Sequence, residues 1–263
     1  MSIEQKNVSQ DAVQEDMRVH ILDNGRLECD ANLVVAGTVV GTKEDKTPTI
    51  KWIKIPTYAV LIDHPEKKIL YDLGTHPDRI YPEVLLSLFP YHFEEDQRFE
   101  NQLALAGFEP KDISTVILSH LHFDHCGNLD LFKHADFYFH PSELPELEAN
   151  PHISIENKHF IDQDTEILPG LEVITLPGHT AGVLGLIVHL KEEGTLIFTA
   201  DASYCQANYG PPARPSGNVY DTLSYYKSIE KLHGLEKAYG AKIIYGHDMD
   251  LFQTLKKTPE YYT

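Results

Sequence analysis

Short apolar runs separated by charged turns recur along the chain, and their β-branched and aromatic residues read as strands rather than helices. Residues 58–72 form one such unit, an apolar run, a charged turn and a second apolar run that closes on Asp72. Residues 184–201 repeat the plan and close on Asp201. Both predict β-hairpins, and each is followed by helical sequence and another strand. Behind the first come residues 83–89 and 99–106, the latter stopping at Gly107, and then the apolar stretch 115–119. Behind the second comes 221–239, with Asp221 placed as N-cap, Leu223, Tyr226, Ile229 and Leu232 on one helical face, and Gly240 just past the end. Residues 242–245 complete that half.

Chance can produce a hairpin, helix and strand in succession twice in an α/β chain. Read as a duplication, the pattern predicts two similar halves packed sheet to sheet with helices outside, an α/β four-layer αββα sandwich. The 263 residues suit one large unit, so residues 18–263 are expected as a single domain. Residues 1–17 are acidic and lack an apolar centre, and they read as a mobile arm rather than a signal or transit peptide. The proline-rich stretch 209–217 reads as a stiff surface loop.

Charge narrows the choice of partners. Against 22 Lys and Arg stand 40 Asp and Glu, a formal net charge of -18, which repels phosphate backbones and anionic lipid and argues against nucleic acid and membrane. No apolar stretch approaches the ~18 residues of a membrane helix. Three scattered cysteines, Cys29, Cys126 and Cys205, make a poor disulfide framework and fit the reducing cytoplasm. Cys126 and Cys205 have no motif partner and read as small buried side chains.

The chemistry concentrates at Ser119-His120-Leu121-His122-Phe123-Asp124-His125, directly behind an apolar strand. His120 and His122, two apart on an extended strand end, point to one side, while Asp124 and His125 on the following turn can face a second point nearby. A single histidine here would be a solvated or hydrogen-bonded side chain; four donors interleaved with Leu121 and Phe123 indicate metal ligands. Other apolar runs also stop at a donor. Residues 171–176 run into Pro177-Gly178-His179, 196–200 into Asp201, and 242–245 into Gly246-His247, as expected when a site gathers at strand ends. Gly178 is expected to let the backbone turn sharply at His179, and Gly246 to do the same before His247. Asp72 either orients a ligand imidazole or caps a turn. His189, inside a strand run, reads as a local hydrogen-bonding group, and the remaining histidines carry no ligand spacing.

On these residues the chain resembles the metallo-β-lactamase superfamily, whose signature is H-x-H-x-D-H followed in order by His, Asp and His, over most of its length from about residue 18. The resemblance implies that His120, His122 and His179 bind one metal, Asp124, His125 and His247 a second, and Asp201 bridges them, with a hydroxide between the metals as nucleophile. Two divalent ions per chain follow, zinc foremost, with iron, manganese or cobalt also suited to imidazole and carboxylate. Finer marks are similar to the N-acyl homoserine lactonases: Tyr204 three residues after the bridging aspartate, Asp23-Asn24-Gly25, Tyr209-Gly210-Pro211-Pro212 and Gly246-His247-Asp248. On packing grounds alone Tyr204 reads as an aromatic wall residue. The resemblance implies that its hydroxyl meets the lactone carbonyl or leaving oxygen and that Asp124 helps move a proton, which makes these two the expected catalytic residues.

The leading expectation is a two-metal hydrolase of carboxylic esters that opens the ring of N-acyl homoserine lactones, a quorum-quenching activity. Its partner is a small-molecule lactone whose acyl chain needs an apolar groove, and aromatic residues in 209–220 are candidates for the lining. The nearest alternative is another small lactone, such as a pyridoxolactone. A glyoxalase-type thioester hydrolase would add a C-terminal helical domain for which the stretch after His247 leaves no room, and a nuclease would want a basic groove. A non-catalytic metal-binding or sensory module does not need so complete an open-site ligand set. The oligomeric state stays open, a homodimer included.

Overall fold

The computed structural model describes residues 16–149 and 153–263. Of the arm expected at 1–17, residues 1–15 lie outside the described residues, and Met17 is already buried in the core. Strands β1 (Arg18–Asp30), β2 (Trp52–Asp63), β3 (Lys68–Tyr71), β4 (Tyr91–His92), β5 (Thr115–Ile117), β6 (Asp136–Phe139) and β7 (Lys158–Phe160) belong to one sheet. Strands β8 (Thr165–Leu168), β9 (Leu171–Thr175), β10 (Leu184–Leu190), β11 (Gly194–Phe198) and β12 (Lys242–Ile244) belong to a second. Their orders are β4-β1-β2-β3-β5-β6-β7 and β12-β11-β10-β9-β8. The helices are α1 (Ala31–Val34), α2 (Glu83–Leu88), α3 (Phe99–Leu105), α4 (Leu144–Ala149), α5 (Gln206–Tyr209), α6 (Thr222–Tyr239) and α7 (Met249–Thr254).

Both expected hairpins form. β2 and β3 pair antiparallel, as do β10 and β11, and in each half the strand that follows the helical sequence returns parallel to the second hairpin strand, β5 beside β3 and β12 beside β11. Side chains alternate across a strand, and β2 shows what that does. Val60 and Ile62 point inward to a core shared with Leu186, Ile187 and Phe198 of the second sheet, whereas Ala59 and Leu61 point outward to a second core closed by Phe99 and Leu103 of α3. Tyr225, Ile229 and Leu232 of α6 belong to the same connected cluster as the second sheet. The layers are therefore helix, sheet, sheet, helix. β10 lies in the middle and is buried along its whole length.

Helix α6 starts and stops where expected: the Asp221 side chain accepts from Leu223 N at 3.0 Å, and Gly240 closes the end with φ 60°. Its buried face differs from the expected one. Tyr225, Ser228, Ile229 and Leu232 are buried, while Leu223 is 74% exposed and Tyr226 46%. The cause lies in the turn before His179. Ser228 Oγ donates to Pro177 O at 2.7 Å, and Gly178, at φ 152°, lies so near the helix that a Cβ there would stand 2.6 Å from Tyr225 Cα. The helix thus sets a small polar residue and bare backbone against the ligand-bearing turn.

Candidate metal centre

The seven side chains expected as ligands converge at the strand exits between the sheets. His120, His122, His179 and Asp201 form one group and Asp124, His125 and His247 a second, the donor atoms within each lying within 4.8 Å of one another. In the first, His122 Nδ1 lies 3.0 Å from His120 Nε2 and 2.9 Å from His179 Nε2. Asp201 faces both groups. Its Oδ2 stands 3.6 Å from His120 Nε2 and 3.1 Å from His179 Nε2, and its Oδ1 stands 3.0 Å from both His125 Nε2 and His247 Nε2. Asp124 Oδ2 lies 3.6 Å from His247 Nε2 and 3.7 Å from His125 Nε2.

The rings are held from behind. His247 Nδ1 donates to Pro56 O at 2.8 Å, and His125 Nδ1 donates to Asp72 Oδ2 at 2.8 Å, so both aim Nε2 inward. Asp72 also accepts from Ser119 N at 2.7 Å and Ser119 Oγ at 2.8 Å. Of the two readings open for Asp72, orientation of an imidazole is the one its contacts support. Gly246 acts differently from expectation: it provides room rather than a left-handed turn, since a Cβ there would lie 2.5 Å from Ala200 O.

Electrostatics asks for cations at this point. Burial holds His120 well below the usual imidazole value and His179 down to about 3, so both stay neutral with a lone pair to give. For His125 and His247 burial acts downward too, but the carboxylates of Asp201 and Asp124 outweigh it and raise both. His125 Nε2 and Asp201 Oδ1 are buried 3.0 Å apart, and neither makes a hydrogen bond of good geometry among the described residues. Imidazole nitrogens and carboxylate oxygens that crowd one point, some unpaired, fit divalent ions.

Above the donors opens a cavity of about 590 Å³ whose lining includes Leu33, Val34, Leu85, Phe89 and Phe123 together with Tyr204, Asn218 and Tyr220. No Lys or Arg is among its described lining residues. A second cavity of about 530 Å³ adjoins it through Leu85, Phe123 and Glu146. Tyr204 is buried; Asn218 Nδ2 donates to its hydroxyl at 3.0 Å, and burial followed by the Asp201 charge pushes the phenol well above its usual value. It therefore stays protonated as a donor. Of the aromatic candidates in 209–220, Tyr220 reaches the cavity, but Tyr209 is buried under α6 against His233 and Tyr245. Cys126 is buried, and Cys205 is half-buried at the start of α5. His189 bonds Thr195 Oγ1 at 2.8 Å and Glu172 Oε1 at 2.9 Å, the local role expected. Sequence reasoning missed Asn218, Glu143 and the apolar wall from α2, whose signals are single residues in polar or ambiguous stretches.

Fold and site together define a metal-dependent hydrolase. The chain belongs to the metallo-beta-lactamase superfamily, whose family model matches residues 53–247. Among its relatives is the N-acyl homoserine lactonase AiiB of Agrobacterium fabrum, 28% identical across 92% of this chain and 98% of the relative. The N-acyl homoserine lactonase AiiA of Bacillus thuringiensis subsp. kurstaki is 29% identical across 80% of this chain and 88% of its own. A solved quorum-quenching N-acyl homoserine lactone hydrolase superposes with a TM-score of 0.80 at 25% identity, covering 95% of this chain and 99% of its own.

Proposed function

We propose that the protein opens the lactone ring of N-acyl homoserine lactones at a two-metal centre, acting in the cytoplasm on a small uncharged substrate. The observation that carries the reading is the cavity above the donors: lined by Leu33, Val34, Leu85, Phe89 and Phe123, with Glu143 and Glu146 but no Lys or Arg among its described lining residues, it suits a neutral ester with an aliphatic tail better than a phosphodiester or an anionic thioester. The two lactonase relatives support the same class.

His120, His122 and His179 would hold one ion, Asp124, His125 and His247 the other, with Asp201 between them. Zinc is the foremost choice, and the bound pair would supply Lewis acidity and a nucleophile derived from water near neutral pH. The chain's own residues do the rest. Tyr204, whose oxygen accepts from Asn218 Nδ2 at 3.0 Å and whose hydroxyl donates to Asn218 Oδ1 at 3.3 Å, would turn that proton to the ring carbonyl or the departing ring oxygen when substrate binds. Asp124, at the second group, holds the proton released at its carboxylate and returns it to the leaving oxygen. Water adds to the carbonyl carbon, the ring C–O bond breaks, and the products are an alcohol and a carboxylic acid, which loses its proton to solvent to leave the carboxylate. Phe123 and Leu85, shared with the adjoining cavity, give the acyl chain apolar contacts on both sides of that junction, where Glu146 also lies.

The test is a hydrolysis panel on zinc-loaded protein: acyl homoserine lactones of several chain lengths, a pyridoxolactone, a glutathione thioester, a phosphodiester and a β-lactam. Acyl homoserine lactones should give the highest kcat/KM. A higher value for the pyridoxolactone or the thioester would overturn the substrate assignment.

A further inference from the structure

Glu143 is 3% exposed and closes the short turn Pro141–Glu143 that follows β6. Its Oε2 accepts from Leu121 N at 3.2 Å, and its Oε1 accepts from Thr180 Oγ1 at 2.6 Å and Gly182 N at 3.0 Å. Leu121 is the residue between His120 and His122, and Thr180 directly follows His179. The first loop leaves β5 of one sheet and the second leaves β9 of the other. One carboxylate therefore ties together, across the junction of the sheets, the two loops that carry a single ligand group. Gly182 makes the approach possible, because a Cβ there would stand 2.7 Å from Glu143 Oε1.

A buried carboxylate is costly unless its oxygens are satisfied and its charge is compensated. The three donors satisfy the oxygens but are neutral, and no Lys or Arg pairs with Glu143 among the described residues. Two divalent ions would bring four positive charges, of which Asp124 and Asp201 offset two. Asp72, behind His125, offsets a third. Glu143 stands behind the other group, bonded not to an imidazole but to the loops that carry His120, His122 and His179. Resting on the two-metal reading, we infer that Glu143 is a positioning residue that fixes the His120, His122 and His179 group and supplies its outer negative charge.

The experiment follows ion release from zinc-loaded protein under increasing chelator, counting ions per chain and recording the melting temperature of the stripped protein alongside. Wild type should hold two ions. Glu143→Gln keeps the volume but turns an amide nitrogen toward a donor, and it should release one ion at about ten- to a hundredfold lower chelator activity while keeping the other. Its kcat should fall with KM little changed. Thr180→Val, which removes one donor and leaves the carboxylate, should loosen the same ion by a smaller factor. Variants that release both ions as wild type does would overturn the role. So would parallel loss of both ions with a lowered melting point of the stripped protein, the mark of a merely structural residue. Wild type holding fewer than two ions would overturn the two-metal reading and this role together.

Discussion

The two halves of the molecule share a plan and divide its outcome. In each, a hairpin is followed by helix and a strand that returns parallel to the hairpin's second member, and Ile69 with Thr115 and Leu196 with Lys242 pair at the same sequence separation. In each, the exit of that second strand forces a non-glycine residue to positive φ, Asp72 at 62° and Ala200 at 44°, a strained conformation that persists where the surroundings over-determine it. The carboxylates at those exits then part company. Asp72 spends both oxygens on Ser119 and His125 Nδ1, whereas Asp201 turns its oxygens to four imidazole Nε2 atoms. The same backbone device thus turns one carboxylate to the back of an imidazole in one half and, in the other, sets the next residue's carboxylate among four imidazoles.

Exchanging charge for amide at the two positions is the sharpest way to break this comparison. Asp201→Asn should strip both ions and lower kcat/KM well beyond the ~10–100-fold expected of an outer partner such as Asp72→Asn, and a change at His247 should loosen the second ion alone. Elemental analysis with steady-state rates decides it, and equal losses at Asp201 and Asp72 would contradict the division of labour. Tyr204→Phe probes the second half further: kcat and kcat/KM should fall together by about tenfold to a few hundredfold with ion content intact. Near-identical constants would make Tyr204 a wall residue.

How far ions hold the halves together is read by calorimetry of chelated protein. Ligands at a hundred times their dissociation constant contribute about 2.7 kcal/mol, which for a chain of this size lowers the melting temperature by several degrees on removal. No change after verified stripping would mean that the sheets stay joined without the centre. The smallest effect lies within the second half, where Lys231 of α6 reaches Asp164 Oδ1 at 2.6 Å. Burial would raise this carboxyl, but its bonds from Lys231 and Thr175 depress it. Its contribution is therefore present above the unfolded carboxyl value, near 4, and is lost as pH falls through the lower folded value. Asp164→Asn should cost about 0.5 kcal/mol at pH 7, given the pair's exposure, and nothing in strong acid. A cost that ignores pH would assign the effect to packing.

The strands and donors were legible because each apolar run ends abruptly in a group that has no other reason to follow a strand: His179, Asp201 and His247 all announce themselves this way. Helix α6 was legible at its ends, where Asp221 and Gly240 act locally, and not on its face, since its rotation is set by Pro177 O and Gly178 from a distant strand. Glu143 was invisible for a related reason. In His140-Pro141-Ser142-Glu143 it looks like any acid in a polar turn, and only the meeting of two sheets gives it its three donors. Leu85 and Phe89 were readable as helix but not as cavity wall, because the partner that makes them one is the void itself.

The linear order of the donors also sets a timetable. The run His120 to His125, which serves both groups, is synthesised long before His247, and at about 5–20 residues per second the interval is roughly six to twenty-five seconds. Through the first part of that time the growing polypeptide presents histidines and Asp124 without Asp201, and to the end of it without His247. On the two-metal reading, an ion caught then would meet an incomplete donor set, and its retention would depend on how soon β9 to β12 arrive to close it.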